Sequence, residues 1–279
     1  MGSGGRSHLD ELVKEYYSKL GVREWRRLVK DSYHRLEFDT TMYFLSKYLP
    51  DSGLVLDAGG GPGRYVVELA KKGYEVVLLD LTRRLLEIAR RVVWRGVRGR
   101  VIGVVEGSIH DLSMFRDEVF DAVLCLGGAL SHLVDEERRE RAIDELIRVA
   151  RRGAPIFISV IGRLALLVRG LIDFPDLIED EEIFQRIRDT GDYYGERGFA
   201  PCHFYLPEEL EQSLRRRGLQ VLEAVGLEGL ASTHRKAVNT LSRRKPEIWR
   251  KWWETHLKTC THPAVVGISE HFLVVCVKE

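Results

Sequence analysis
The sequence predicts an α/β fold with a doubly wound, mostly parallel sheet, and three observations carry that expectation. From Leu54 onward, short apolar runs alternate with segments whose apolar residues recur at helical spacing, the pattern of repeated βα units. A glycine loop, Gly59-Gly60-Gly61-Pro62-Gly63, joins the first apolar run to the first helical segment. About twenty residues beyond it, Glu75-Val76-Val77-Leu78-Leu79-Asp80 is a second buried run that ends in a carboxylate. Strand, tight turn and helix make a cradle where backbone touches a ligand with no Cβ in the way. An acid at the end of the next strand is placed to grip ribose hydroxyls, so the layout predicts a nucleotide-type cofactor site.

Taken in order, residues 8–20, 23–30 and 35–49 read as helices, the last stopping before Pro50. They predict an N-terminal helical cap, 6–50, ahead of a sheet domain, 51–279; the run Met1-Gly2-Ser3-Gly4-Gly5 is set aside from the fold. Strands are expected at 54–58, 75–80, 101–106, 119–126, 155–161, 219–225 and 271–277, with helices at 64–72, 82–95, 134–151 and 207–217. The helix at 207–217 has Pro207 in its first turn, Leu210 and Leu214 on one face, and Gly218 at its end. Two stretches exceed what the alternation needs. One, 163–204, begins apolar, turns acidic and ends in a glycine and aromatic cluster; it is expected to be a lid over an acceptor pocket. The other, 231–263, is expected to complete that pocket's far wall.

The composition is that of a globular protein, 44% hydrophobic with a net charge of +1, so no global field recruits nucleic acid or membrane. No apolar run approaches the roughly 18 residues of a membrane span, and the start lacks a signal-peptide pattern, which predicts a cytoplasmic location. Cys125, Cys202, Cys260 and Cys276 are far apart in sequence and lack zinc-ligand spacing, so no metal is expected. Arginine outnumbers lysine 32 to 11 and there is a single asparagine, a bias that fits a heat-adapted source, with a high-GC genome as the alternative origin of the arginines.

The spacing Gly59-x-Gly61-x-Gly63, with Asp57 just ahead, is tighter than the Gly-x-Gly-x-x-Gly turn that carries pyrophosphate. A tight loop beside an acid suits a ligand whose facing end is an amino acid, with its ammonium on Asp57. At Leu56-Asp57-Ala58-Gly59-Gly60-Gly61-Pro62-Gly63 the chain resembles the class I S-adenosylmethionine-dependent methyltransferases, small-molecule type. Asp80, then Glu106-Gly107-Ser108-Ile109-His110-Asp111-Leu112, Phe120 to Leu126, and Ile147 to Ala154 match later motifs of that family in order. The resemblance implies a Rossmann-like seven-stranded sheet whose last strand runs antiparallel between the fifth and sixth. It implies S-adenosyl-L-methionine as cofactor, contacted by Asp57, Ala58, Gly59, Gly60, Gly61, Gly63, Asp80, Leu81, Ser108, Ile109 and Leu126, and by Tyr33, for which plain packing is the alternative. Two departures stand out: Ser108 replaces the usual aspartate beside adenine, and Arg64 follows the loop where threonine is commoner.

Methyl transfer from a sulfonium needs a base only when the acceptor carries a proton it must lose. His132, after the fourth strand, is the first candidate, with a capping role ahead of helix 134–151 as its alternative; His203 and Tyr205 are the second candidates. The reading is therefore methyl transfer to a small-molecule acceptor. Two alternatives remain, an RNA-modifying methyltransferase and a nicotinamide-dependent oxidoreductase; the short glycine spacing argues against the latter. Arginines along 138–152 are interleaved with acids, Glu137–Arg141 and Asp144–Arg148 being four apart, as on a salt-bridged solvated face. Trp249, Trp252 and Trp253 among Arg243, Arg244, Lys245, Arg250 and Lys251 suit either base stacking or a core helix.

Overall fold
The computed structural model describes residues 3–93, 97 and 99–279. Three helices precede the sheet: α1 (Ser3–Leu20), α2 (Val22–Arg27) and α3 (Ser32–Tyr48). The first reaches back over the Ser3–Gly5 stretch that the sequence reading set aside. Gly21, with φ of 51°, breaks α1 from α2, and the Asp31 side chain accepts from His34 N–H to start α3. The alternating part then runs β1 (Leu54–Ala58), α4 (Arg64–Lys71), β2 (Glu75–Asp80), α5 (Arg83–Val93), β3 (Val101–Glu106), β4 (Ala122–Cys125), α6 (Glu136–Val149) and β5 (Pro155–Ile161). Positions 94 and 95 of the expected helix 82–95 lie outside the described residues.

The first long insertion folds as α7 (Arg163–Ile172), α8 (Pro175–Glu179), α9 (Glu181–Thr190) and a two-stranded ribbon, β6 (Asp192–Tyr193) with β7 (Cys202–His203). Then come α10 (Pro207–Arg216), β8 (Leu219–Gly226), α11 (Arg235–Arg244), α12 (Pro246–Thr259), α13 (Pro263–Gly267) and β9 (His271–Lys278).

The seven-stranded sheet has the order β3-β2-β1-β4-β5-β9-β8, parallel except that β9 runs antiparallel between β5 and β8. Its central strands are largely apolar because both faces are covered, and the two-residue period sorts their side chains. Val55, Leu124, Phe157 and Val275 face a core shared with α3, α4 and α5, including Phe44, Val66 and Leu86. Leu56, Val123, Ile158 and Val274 face the opposite core, closed by α6 and α10 through Ile143, Leu146, Leu210 and Leu214. Among the described residues no helix is long and apolar enough to cross a membrane.

Two expectations outside the sheet need correction. Arg148 pairs with Glu145 one turn earlier in α6 and with Asp117, while Asp144 pairs with Arg217 at the end of α10, so the expected Asp144–Arg148 pair does not form. The second insertion does not complete the cleft wall: its Trp249 and Trp253 pack behind α3 against the cluster of Tyr33, Leu36, Ala231 and Val238.

Candidate active site
A cleft with about 960 Å3 of empty volume, part of it open to solvent, lies at the carboxyl ends of β1, β2 and β4. Its floor is the loop after β1. Gly59 and Gly60 N–H both donate to the Leu79 carbonyl, at 2.7 and 3.2 Å, which ties the loop to β2. Gly59, Gly61 and Gly63 have φ of 81°, 55° and 80°, backbone that side-chain-bearing residues rarely adopt. A Cβ on Gly60 would lie 2.3 Å from Asp57 Oδ2, so the missing side chain lets the turn close over that carboxylate.

Asp57 is fully buried, and neither carboxylate oxygen has a hydrogen-bond partner. Burial, with the Asp80 charge adding to it, pushes its carboxyl up to about 7. Asp80 accepts Thr82 N–H on Oδ1 at 2.7 Å and Gly61 N–H on Oδ2 at 2.8 Å. Burial outweighs those bonds and lifts its carboxyl to about 6. Each Asp80 oxygen keeps acceptor capacity beyond its one backbone partner. Two buried acids facing one cleft, neither hydrogen-bonded to a cationic side chain, are a site for a cationic, hydroxyl-bearing ligand.

Arg64 lines the same cleft. Its guanidinium stacks on Trp25 of α2, 3.5 Å from the ring centroid, and donates to the Trp25 carbonyl. Its Nε is buried without a partner. The roof comes from the N-terminal helices, through Asp10, Val13 and Tyr17 of α1, Glu24 and Arg27 of α2, and Leu28. Arg138 of α6 holds Asp10 at 2.9 and 2.6 Å, fastening α1 beside the cleft.

Behind Arg27 sits a chain of buried charges. Arg27 donates to both oxygens of Glu37, at 2.6 and 3.1 Å, and through Nε to Glu24 at 2.8 Å. His271 Nδ1 lies 2.8 Å from Glu228 Oε1 and 3.9 Å from Glu37 Oε2. Burial works against the imidazolium, but the two carboxylates prevail and raise His271 to about 9.

Of the residues expected to contact cofactor, Asp57, Gly59, Gly60, Gly61, Asp80, Leu81, Ser108, Ile109 and Leu126 line this cleft. Ala58 ends β1 inside the core, and Gly63 caps α4 beneath the loop. Tyr33 is a correction. Its ring is buried against Leu36 and Val238, and its hydroxyl donates to Glu270 at 2.6 Å, so packing against α11 turns it away from the cleft. The Ser108 hydroxyl is hydrogen-bonded to His110 Nδ1.

His132 lines the cleft, on a 3-10 turn that follows β4. It does not cap α6; the Asp135 side chain does, accepting from Arg138 N–H. His203 is a second correction: its Nδ1 lies 2.6 Å from Asp192 Oδ1 and its Nε2 3.8 Å from Glu209, among the ion pairs that anchor the first insertion. Tyr205 is buried in the core with its ring edge-on to His203. Among the described residues that insertion puts no side chain on the cleft lining; it reaches the site through Pro201, whose carbonyl meets His132 Nδ1 at 2.8 Å. Tyr17, Arg27 and Arg64 were not singled out as cleft residues from sequence. Arg64 alone carried a local signal, its place at the first helical position after the loop.

The family model "Methyltransferase domain" matches residues 55–153, which is β1 through the turn before β5. A glycine/sarcosine N-methyltransferase of Aphanothece halophytica is 28% identical over 144 residues, 51% of this chain and 52% of that one. The matched stretch thus spans about half the length of that relative. A ubiquinone biosynthesis O-methyltransferase of Xanthomonas axonopodis pv. citri is 27% identical over 186 residues, 66% of this chain and 70% of that one. The fold is shared by the solved SAM-dependent methyltransferase of Methanosarcina mazei, with TM-score 0.55 and 22% identity over 84% of this chain and 96% of that one. The family-model match takes in the glycine loop and both buried acids, so residues 55–153 are similar to a methyltransferase domain, and the solved methyltransferase shares the fold.

Proposed function
We propose that the chain transfers a methyl group from S-adenosylmethionine to a small-molecule acceptor. The observation that carries this is the pair of orphaned groups beside the glycine loop: the Asp57 carboxylate and Arg64 Nε. Together they match the ammonium and carboxylate of an amino-acid end, and no pyrophosphate would satisfy Asp57. In this reading Asp80 holds the ribose hydroxyls, and Ser108 with Ile109 borders the adenine. The Ser108 oxygen has lone pairs left for an exocyclic amine. Bound there, the cofactor supplies a methyl group already activated on a sulfonium. The protein's share is alignment and exclusion of water, and the roof of α1 and α2 serves both. The names of the two relatives put nitrogen and oxygen acceptors alike within range.

Calorimetric titration tests the reading: S-adenosylmethionine binds and NAD does not. The reverse result returns the chain to nicotinamide chemistry. Replacing Asp80 with alanine weakens S-adenosylmethionine binding by about 1–3 kcal/mol, because ribose hydroxyls lose their acceptor. Unchanged affinity removes Asp80 from the site.

The binding is also pH-dependent, with a sign set by Asp57. An ammonium favours the ionised carboxylate, while in the free protein that group titrates at about 7. Binding therefore releases a proton below that pH, and affinity falls as pH drops, by up to roughly tenfold per pH unit. Above it the affinity levels off. Asp57→Asn should flatten this dependence, and a flat wild-type profile between pH 5 and 7 would count against the ammonium contact.

A further inference from the structure
Aromatic groups from three separate parts of the chain meet beside the cleft, and two of them, Tyr17 and His132, line it. Tyr16 and Tyr17 come from α1, His132 from the turn after β4, and Phe199 from the loop joining β6 to β7. Tyr16 meets Phe199 edge-on at 5.4 Å between centroids, and Tyr17 meets His132 edge-on at 5.2 Å. The Tyr17 hydroxyl lies 2.6 Å from His132 Nε2, and His132 Nδ1 lies 2.8 Å from the Pro201 carbonyl. A carbonyl oxygen only accepts, so Nδ1 carries the hydrogen. In the neutral ring Nε2 then bears the lone pair, and the Tyr17 hydroxyl donates to it.

Before an acceptor binds, the surroundings keep the pair in that state, so an imidazolium forms there only against the negative charge of a bound phenolate. Burial lowers the His132 imidazole below its usual value, and Arg27 adds to this while the Pro201 carbonyl and Glu24 oppose it. Burial raises the Tyr17 phenol well above its usual value, with Glu24, Arg27, Cys202 and Tyr16 as the titratable groups bearing on it. Tyr17 is therefore a neutral hydroxyl, with oxygen lone pairs left to accept a second hydrogen bond. Both residues line the cleft that holds Asp57, Asp80 and the glycine loop.

We propose that Tyr17 and His132 are the proton-accepting pair for a planar phenolic acceptor. The acceptor's O–H bond breaks and its proton goes to Tyr17 Oη, while the proton already on Tyr17 goes to His132 Nε2. The products are a phenolate that accepts a hydrogen bond from Tyr17, and an imidazolium whose Nδ1–H stays on the Pro201 carbonyl. A neutral amine is nucleophilic without such help, whereas a phenol gains its nucleophilicity by losing the proton. The Tyr17 and His132 rings, both on the cleft lining, suit a flat acceptor. The inference rests on the methyl-transfer reading for the role of the cleft.

The probe is 4-nitrophenol, whose phenolate has a visible absorption band that the phenol lacks, with S-adenosylhomocysteine filling the cofactor's place. On the wild-type chain its apparent pKa falls by at least about one unit relative to free solution, a roughly tenfold gain in phenolate at a given pH. Tyr17→Phe and His132→Gln each return it to the solution value. Tyr17→Phe keeps the ring and its packing, and an unchanged melting midpoint in that variant separates lost proton transfer from lost fold. No lowering in the wild type, or a lowering that survives both variants, overturns the proposal. Calorimetry with S-adenosylmethionine on the same sample tests the parent reading. Cofactor bound without a phenolate shift sinks the pair alone; no cofactor bound sinks the methyl-transfer reading, and this inference with it.

Discussion

Replacing Arg27 with methionine lowers the unfolding free energy by about 3–5 kcal/mol, the range for removing one partner of a buried ion pair. Glu37 is 2% exposed, and Arg27 is the group that donates to both of its oxygens. Without the guanidinium, Glu37 and Glu228 share the single imidazolium of His271, which already lies 1.1 Å closer to Glu228 (3.9 against 2.8 Å). A buried carboxylate then stands uncompensated, and protonation is the cheaper escape. Chemical denaturation measures the loss. The double variant with Glu37→Gln should recover most of it, because the stranded charge is gone; a loss below about 1 kcal/mol would show that the pair is energetically neutral. The pH dependence has a definite sign. His271 titrates at about 9 in the folded chain against 6.5 ordinarily, so its stabilising charge is fully present below 6.5 and is lost as pH rises through about 9. The penalty of the Arg27 variant therefore grows in that window, since Glu37 then has neither cation.

Alanine at Gly59 costs about 3 kcal/mol and abolishes cofactor binding, while alanine at Gly61 costs about 1–2 kcal/mol. Both glycines have positive φ, 81° and 55°, so both substitutions carry the left-handed penalty. They differ in what a Cβ meets. At Gly59 it would lie 2.4 Å from the Ala129 Cβ, on the turn that leads to His132, so the loop or that turn has to move. At Gly61 the nearest atom is 3.6 Å away, an ordinary contact. Urea denaturation of the two variants reads the difference, and equal losses would mean that backbone conformation alone sets the cost.

The sheet and its glycine loop were legible because their signals are local. A parallel strand covered on both faces needs an unbroken apolar run, a tight strand-to-helix turn needs glycine, and each leaves its mark within a few residues. The strand at 119–126 came out shorter, Ala122–Cys125, because β1 pairs with it over Ala122–Leu124 and β5 over Val123–Cys125, and neither ladder runs further. Asp57 and Asp80 were legible as cleft acids for the same local reason, their places beside the loop and at the end of β2.

What failed to show was the choice among similar residues in the flanking helices. Tyr33 and Tyr17 are both aromatics ahead of the sheet, and the sequence reading placed Tyr33 at the cofactor. Its hydroxyl is instead taken by Glu270, more than two hundred positions away in the chain, and Tyr17 occupies the cleft. His132 ranked ahead of His203 as a base only by its place after the fourth strand, and the structure separates them by setting Asp192 beside His203 and Tyr17 beside His132. The sequence by itself determined the α/β sheet, the glycine cradle and its two acids, because these follow from short-range backbone and burial requirements. Only the tertiary structure decided that α1 and α2 roof the cleft, that Arg27 anchors a buried charge chain, and that Tyr17 meets His132. Those contacts join segments from ten to more than a hundred residues apart, where no periodicity carries a signal and packing alone selects the partner.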